Sequence, residues 1–480
     1  MGKKLFKDRL SLLKNVIFHY PERKPQFIAR TVLVLFLYSM GFACWICFFN
    51  SGNLSLKAFD WLKEGLYLDT LRNALTNGVI PWNWDKPFYF ATKKILANPE
   101  IVLTPDILLL PLLNNGIFIT VHVLLMYSFG FVGSFIIAKK MRISLVAFIF
   151  FWLLFNFNGY IIAHLAVGHF EWTGYFLLPF FFIIFFKLVK LSESGSNINL
   201  GLSLFMSLLL FLLFLNGSVH IAIWCCMFMM ITAIWKWSLF PNIVIAIFGG
   251  ALLALGRLLP AALWFPAKYL RFNEGYTGLS SFFKAMTDYT YHFNWESNIY
   301  IGWSGFIYLT IGILFAFNRK RFLSLKPFLF TAIIFLILSY SNNYQILTKM
   351  GIPFAFVERA PTRFIVMPFL LLLIISMKGG DKLFSSKPMI IKIDALIFIP
   401  LIIYGLFVGS KFWWLVHFEQ PFKNVTKPLR SIVPYISRTY AYDVFASWSF
   451  SVISLITIVI ILFNCRKSLN IFTDHQDLFD

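Results

Sequence analysis

Acidic side chains are scarce in this sequence: 21 aspartates and glutamates stand against 42 lysines and arginines, and charged residues of both signs make up only 13% of the chain. Soluble domains carry about 25%. With 59% hydrophobic residues and a mean hydropathy of +0.75, the chain cannot cover itself with polar surface in water, which excludes a soluble fold. Cysteine is also rare. Cys44, Cys47, Cys225 and Cys226 lie inside apolar runs, and Cys465 stands apart. That pattern excludes a disulfide framework and a zinc site. It predicts buried thiols packed as small hydrophobes, the CxxC of Cys44 and Cys47 included. Short alternating apolar segments are missing, which excludes a membrane β-barrel. No small-residue cleavage pattern follows the first apolar run, so the start of the chain reads as retained rather than as a cleaved signal peptide.

What the sequence does have is long, unbroken apolar blocks rich in Phe and Leu. In lipid every backbone polar group must be satisfied within its own segment, so these blocks should be helices. The expected fold is an all-α polytopic membrane protein of about twelve transmembrane helices. The expected spans are 31–49, 117–137, 143–162, 172–189, 199–215, 219–235, 241–263, 299–317, 327–341, 363–377, 390–408 and 447–464. The apolar block 199–235 is divided at Asn216-Gly217-Ser218, because one helix of that length would overshoot a bilayer. Residues 101–113, interrupted by Pro105 and Pro111, are too short to span and read as an interfacial or re-entrant helix.

The net charge of +21 does not indicate nucleic-acid binding, because the basic residues are spread over short loops. Lys139-Lys140-Arg142, Arg319-Lys320-Arg321, Lys378 with Lys382, and Arg466-Lys467 fall on one side when the spans alternate. The positive-inside rule then makes that side, and both termini, cytoplasmic. Residues 1–30 form a cytoplasmic N-terminus with Phe6, Leu10, Leu13 and Ile17 on one helical stripe, expected to lie on the membrane surface. Residues 31–464 form a single transmembrane domain, and 465–480 a cytoplasmic tail. The long outer loops are 50–116, 264–298 and 409–446. Chemistry is therefore expected on the outer face.

The first outer loop carries FDWLKEGLYLDTLRNALTNGVIPWNWDKPFYF. Asp60 and Glu64, four residues apart, share a helix face, and Asp69 follows. Carboxylates held beside a membrane can serve as a general base or bind a divalent ion. An ordinary charged loop helix is the competing reading. Phe59-Asp60-Trp61, Tyr67-Leu68, Asn77-Gly78 and Asn83-Trp84-Asp85 resemble the first outer loop of GT-C glycosyltransferases, oligosaccharyltransferase catalytic subunits among them. Pro81-Trp82-Asn83 resembles an element of bacterial GT-C-like membrane proteins of the YfhO type. NGYIIAHLAVGHFEW (158–172) and ERAPTRF (358–364) resemble two further elements of those proteins, in the same order.

The resemblance implies an enzyme that moves a sugar from a polyprenyl-phosphate-linked donor to a lipid, glycan or protein acceptor on the outer membrane face. It places the protein in a bacterial inner membrane among membrane lipids, with no nucleic-acid partner. It assigns catalysis to Asp60, with Glu64 beside it. It leaves the cofactor open between none and a divalent cation, Mg²⁺ or Mn²⁺, held by Asp60 and Glu171. Glycosyl transfer builds negative charge on the departing phosphate, and guanidinium groups suit that charge. Arg359 and Arg363, on either side of Pro361, are the expected ligands, with lipid-headgroup snorkelling as the alternative. Arg257 lies inside a span, where a lone charge is costly. It is expected either to reach the donor phosphate or to form a salt bridge. Asp69, Trp82, Asn83, His164, His169 and Glu171 complete the expected substrate contacts. His164 and His169 would stand about 140° apart on a regular helix, so only a loop would bring them together. The competing functions are a lipid-linked-glycan flippase, an outer-face glycan polymerase or ligase using 409–446, and an inactive scaffold.

Overall fold

A computed structural model describes residues 15–464 except 22, 55, 57–58, 89–91, 194–197, 265–274, 291–294, 317–318, 351–357, 359, 387–388, 416–431 and 434–436. Arg359, residues 1–14 with Phe6, Leu10 and Leu13, the tail 465–480 with Cys465, and much of loops 264–298 and 409–446 lie outside the described residues.

The chain is a predominantly helical, multi-pass membrane protein. Among the described residues, eight helices are long and apolar enough to cross a bilayer: Lys24–Phe48, Asn115–Lys140, Leu145–Val167, Phe170–Glu193, Trp295–Ala316, Pro361–Ser385, Leu396–Trp414 and Arg438–Asn464. Trp237–Leu253 and Leu255–Trp264 add a ninth if the pair, bent by 74°, is one span. Twelve spans of full length are therefore not seen among the described residues. The other three expected spans coincide with shorter apolar helices, Leu200–Leu215, Val219–Trp235 and Leu325–Leu338. A 16-residue helix such as Leu200–Leu215 rises about 24 Å, short of a hydrocarbon core about 30 Å thick.

Asparagines set several helix starts. Asn114, Asn158 and Asn199 each accept a hydrogen bond from a backbone N–H of the first turn, satisfying donors that have no partner inside the helix. The break at 216–218 falls where the sequence predicts it. Asn158 does more, because it sits inside a span. Its Oδ1 accepts from Tyr160 N at 3.0 Å, while its Nδ2 donates to Leu154 O and Phe155 O at 2.9 Å and to the Tyr175 hydroxyl at 3.0 Å. A kink in an apolar helix is thereby left with satisfied backbone groups.

Two features depart from expectation. A three-stranded antiparallel sheet, order β2-β1-β3, joins β1 (Asn83–Phe88) to β2 (Thr92–Lys94) and β3 (Ile432–Val433). It ties loop 50–116 to loop 409–446 through pairing of Asn83 with Val433. Cys44 and Cys47 face outward rather than into the core, whereas Cys225 is buried. Lys24–Phe48 packs only one side against the bundle, so lipid is the neighbour of the other. Within 101–113, where the sequence predicts an interfacial or re-entrant helix, residues 105–109 form a 3-10 turn whose Leu108 is exposed.

Asn158→Ala leaves the Tyr160 N–H and the Leu154 carbonyl without their side-chain partner in a dry interior. A loss of about 2–4 kcal/mol is expected, read as a lowered unfolding temperature in detergent or nanodiscs.

Candidate functional site

The ionisable side chains that the sequence scatters over 300 residues meet at one end of the bundle, beneath loop 50–116. The backbone places Asp60 first. Phe59 adopts φ +47°, a region side-chain-bearing residues seldom occupy. Asp60 N donates to Val167 O at 3.0 Å, and the Trp61 indole donates to Ala166 O at 2.9 Å. Helix Trp61–Thr76 thus starts on the end of helix Gly159–Val167. That end is closed by Gly168 in the left-handed conformation, φ +94°, where an added Cβ would meet the backbone of Asp60 and Trp61.

The turn at Gly168 also brings the histidines together. The Nδ1 atoms of His164 and His169 lie 2.7 Å apart. His169 Nε2 lies 3.0 Å from Asp60 Oδ2, and His164 Nε2 lies 3.9 Å from Glu296 Oε2. Both sequence-level candidates therefore sit in the cluster, through a break that helical periodicity does not reveal.

Glu171, Glu296 and Arg363 each stand on a 3-10 turn, Phe170–Leu177, Trp295–Ser297 and Pro361–Ile365, that opens a spanning segment. Arg363 is 1% exposed. Its Nε and Nη2 donate to the two oxygens of Glu296, and its Nη1 donates to Glu358 Oε1 at 3.2 Å. Glu358 Oε2 is 3.0 Å from His220 Nδ1. Burial alone would raise the Glu358 carboxyl, but His220 and Arg363 outweigh it and hold the group at about 2. The Trp172 ring is the platform of this assembly. His164 stacks on it at 4.3 Å, His220 at 5.8 Å, and the Arg363 guanidinium lies 4.9 Å from its centre. Cation–π attraction adds to the ion pairs there.

A second group surrounds Lys63, which is 3% exposed. Its ammonium is 3.0 Å from Glu100, 3.4 Å from Glu64 and 3.6 Å from Asp60, and Glu171 also acts on it. Burial would lower the Lys63 amine, but these carboxylates raise it well above its ordinary value. Burial pushes the Glu64 carboxyl well up, opposed by Lys63 and assisted by the neighbouring acids. Asp60 belongs to both groups, and at 26% its side chain is more open than Glu64, Glu100, Glu296 or Glu358.

Other expected site residues lie elsewhere. The Asp69 carboxylate accepts from Arg72 and from Asn115 at 2.7 Å, linking the loop helix to the start of Asn115–Lys140. Trp82 packs edge-on against Tyr440 and Phe445. Asn83 pairs in the sheet with Lys94 and Val433. Arg257 forms no salt bridge among the described residues. Its Nη2 donates to Pro99 O at 2.9 Å and Ile101 O at 2.6 Å, while Nε and Nη1 have no hydrogen-bond partner there. Arg257 thereby holds loop 50–116 against the bent span.

Sequence reasoning did not single out Lys63, Glu100, Glu296, Glu358 or Trp172. The available signal was scarcity itself. In a chain so poor in acid, a Glu directly beside a span needs a partner.

Among the described residues no group of three or more His, Cys, Asp or Glu side chains is arranged as a metal site. No family model, curated protein or solved structure matches this chain.

Arg363→Ala leaves the buried Glu296 carboxylate without its guanidinium, and Glu358 with His220 but no guanidinium. A destabilisation of about 3–5 kcal/mol is expected, against a smaller loss when Glu296→Gln is added; equal unfolding temperatures for native and Arg363→Ala protein would refute the pairing. Gly168→Ala forces the turn open and displaces Asp60. The expected outcome is loss of function with a well-formed bundle, measured as unchanged helical circular dichroism beside the activity assay described below.

Proposed function

We propose that this protein is a GT-C-like glycosyltransferase that moves a sugar from a polyprenyl-phosphate donor to an acceptor hydroxyl on the outer membrane face. The observation that carries the reading is Asp60. Its carboxylate is the open member of a buried polar cluster, with one oxygen 3.0 Å from His169 Nε2. A carboxylate so oriented can take the proton of an acceptor hydroxyl as the hydroxyl oxygen attacks the anomeric carbon and the phosphate leaves. The resemblance of loop 50–116 to GT-C enzymes supports the same residue independently.

The roles of the arginines are revised in this reading. Arg363 hydrogen-bonds Glu296 and Glu358 through Nε, Nη1 and Nη2, so it orders the cluster instead of meeting the donor. Arg257, with two buried nitrogens that have no hydrogen-bond partner among the described residues, is the better phosphate contact. Cytoplasmic termini fit the distribution of basic residues along the sequence, and the resemblance points to a bacterial inner membrane.

A second reading has one observation in its favour. Ionisable side chains from Asp60 through His169, His164, Glu296, Arg363 and Glu358 to His220 form a continuous chain, and such chains also serve transporters.

Sugar transfer from a panel of labelled polyprenyl-phosphate sugars, by purified protein in lipid, separates the two. Native protein should transfer from one donor, Asp60→Asn should lose the signal, and His169→Gln should lower kcat by about 10²-fold or more. Transfer undiminished in Asp60→Asn would overturn the assignment. Absence of transfer together with translocation of a lipid-linked glycan in proteoliposomes would establish the transporter.

A further inference from the structure

The resemblance leaves room for a divalent cation between Asp60 and Glu171, and the arrangement around those residues disagrees with it. A side chain of the protein already stands among the acids. The Lys63 ammonium is 3.0, 3.4 and 3.6 Å from Glu100, Glu64 and Asp60. An ammonium is a compact point charge with three donor protons, and three carboxylates converge on it. We propose that Lys63 is the resident cation of this site, a positioning residue that supplies in covalent form the positive charge a divalent ion would bring. The inference rests on Asp60 being the centre of the site, as the transfer reading holds, but its test does not depend on transfer.

Three lines of geometry support it. Lys63 is buried almost completely, and a buried ammonium persists only where carboxylates compensate it. It extends from the first turn of helix Trp61–Thr76 and lies beside both Asp60, which precedes that helix, and Glu64, its neighbour in sequence, so one turn supplies the cation and two of its acids. Glu100 comes from the far end of the same loop, after β2, and closes the group. The Glu171 side chain adds a fourth acid whose field reaches Lys63, and its Oε2 is buried without a hydrogen-bond partner among the described residues. Take away the ammonium, and what is left is several oxygen ligands with excess negative charge, which is the preference of Mg²⁺ and Mn²⁺.

The chemical consequence concerns Asp60. At 3.6 Å, Lys63 exerts a field on that carboxylate from beyond hydrogen-bond distance, while His169 makes the closer contact at 3.0 Å. A divalent ion would instead bind the carboxylate oxygens directly and compete with the acceptor hydroxyl.

The test is Mn²⁺ binding, read by electron paramagnetic resonance on the full chain in nanodiscs after chelator treatment, with MnCl₂ as the only probe. Native protein should show no bound Mn²⁺ that depends on Asp60. Lys63→Met should gain about one Mn²⁺ per chain, Lys63→Met with Asp60→Asn should lose it, and Lys63→Arg should gain none. Mn²⁺ should raise the unfolding temperature of Lys63→Met and leave that of native protein unchanged. Lys63→Gln, smaller and polar, stands in and is read by the same criteria if Lys63→Met does not fold. Asp60-dependent Mn²⁺ in the native protein, or a folded lysine-less variant that binds none, would overturn the inference. Protein that transfers no sugar but gains the Mn²⁺ site on losing Lys63 would leave the inference standing while removing the transfer reading.

Discussion

Arg363 can be buried because two carboxylates meet it. Moving one ion from water into a protein interior costs several kcal/mol even after relaxation, and only a well-aligned partner offsets that cost. Glu296 answers with both oxygens and Glu358 with one. The pairing joins segments far apart in sequence, the start of Trp295–Ala316 and the start of Pro361–Ser385, and so fixes how two spanning helices meet. Trp172 then finds a cation above its ring, and the histidines stack on that same ring. The site is ordered outward from a neutralised pair to the more exposed Asp60.

Short turns make this packing possible. An α-helix start leaves N–H groups free, and a 3-10 turn narrows the chain and redirects it there. Glu171, Glu296 and Arg363 all use such turns, which point side chains inward across the bundle end. Gly168 completes the set with a left-handed residue where the chain must reverse against Trp61. Its lack of a Cβ is a requirement of that contact, because the backbone of the loop helix occupies the space.

How far the sequence discloses this varies by physical cause. The apolar blocks are legible because bilayer thickness imposes length and lipid imposes helicity. Asp60 and Glu64 are legible because four residues complete about one turn. The break at Asn216-Gly217-Ser218 is legible because an unbroken helix would be too long. His164 and His169 are not legible as a pair, since helical periodicity separates them and only the conformation of Gly168 reunites them. Arg363 is visible as a charge beside a span, yet its partner Glu296 lies 67 residues away, and nothing local announces the match. The sheet is hidden for a similar reason, because β3 contributes two residues from a distant loop. The three shorter apolar helices show a further limit: hydropathy marks where a helix is apolar, whereas the number of full crossings depends on its length and on bends such as the one before Arg257.

The two charged groups place opposite demands on Asp60, and their distances reconcile them. A carboxylate that is to accept a proton must be oriented and kept partly dry, but a close bidentate cation would occupy both its oxygens. Arg363 would be such a partner, and it is held away by Glu296 and Glu358. Lys63 is nearer, yet its shortest contact is with Glu100, leaving 3.6 Å to Asp60. The direct contact falls instead to His169 at 3.0 Å. The strong cations thus sit closest to the buried acids that support the site, and the open acid is met by an imidazole.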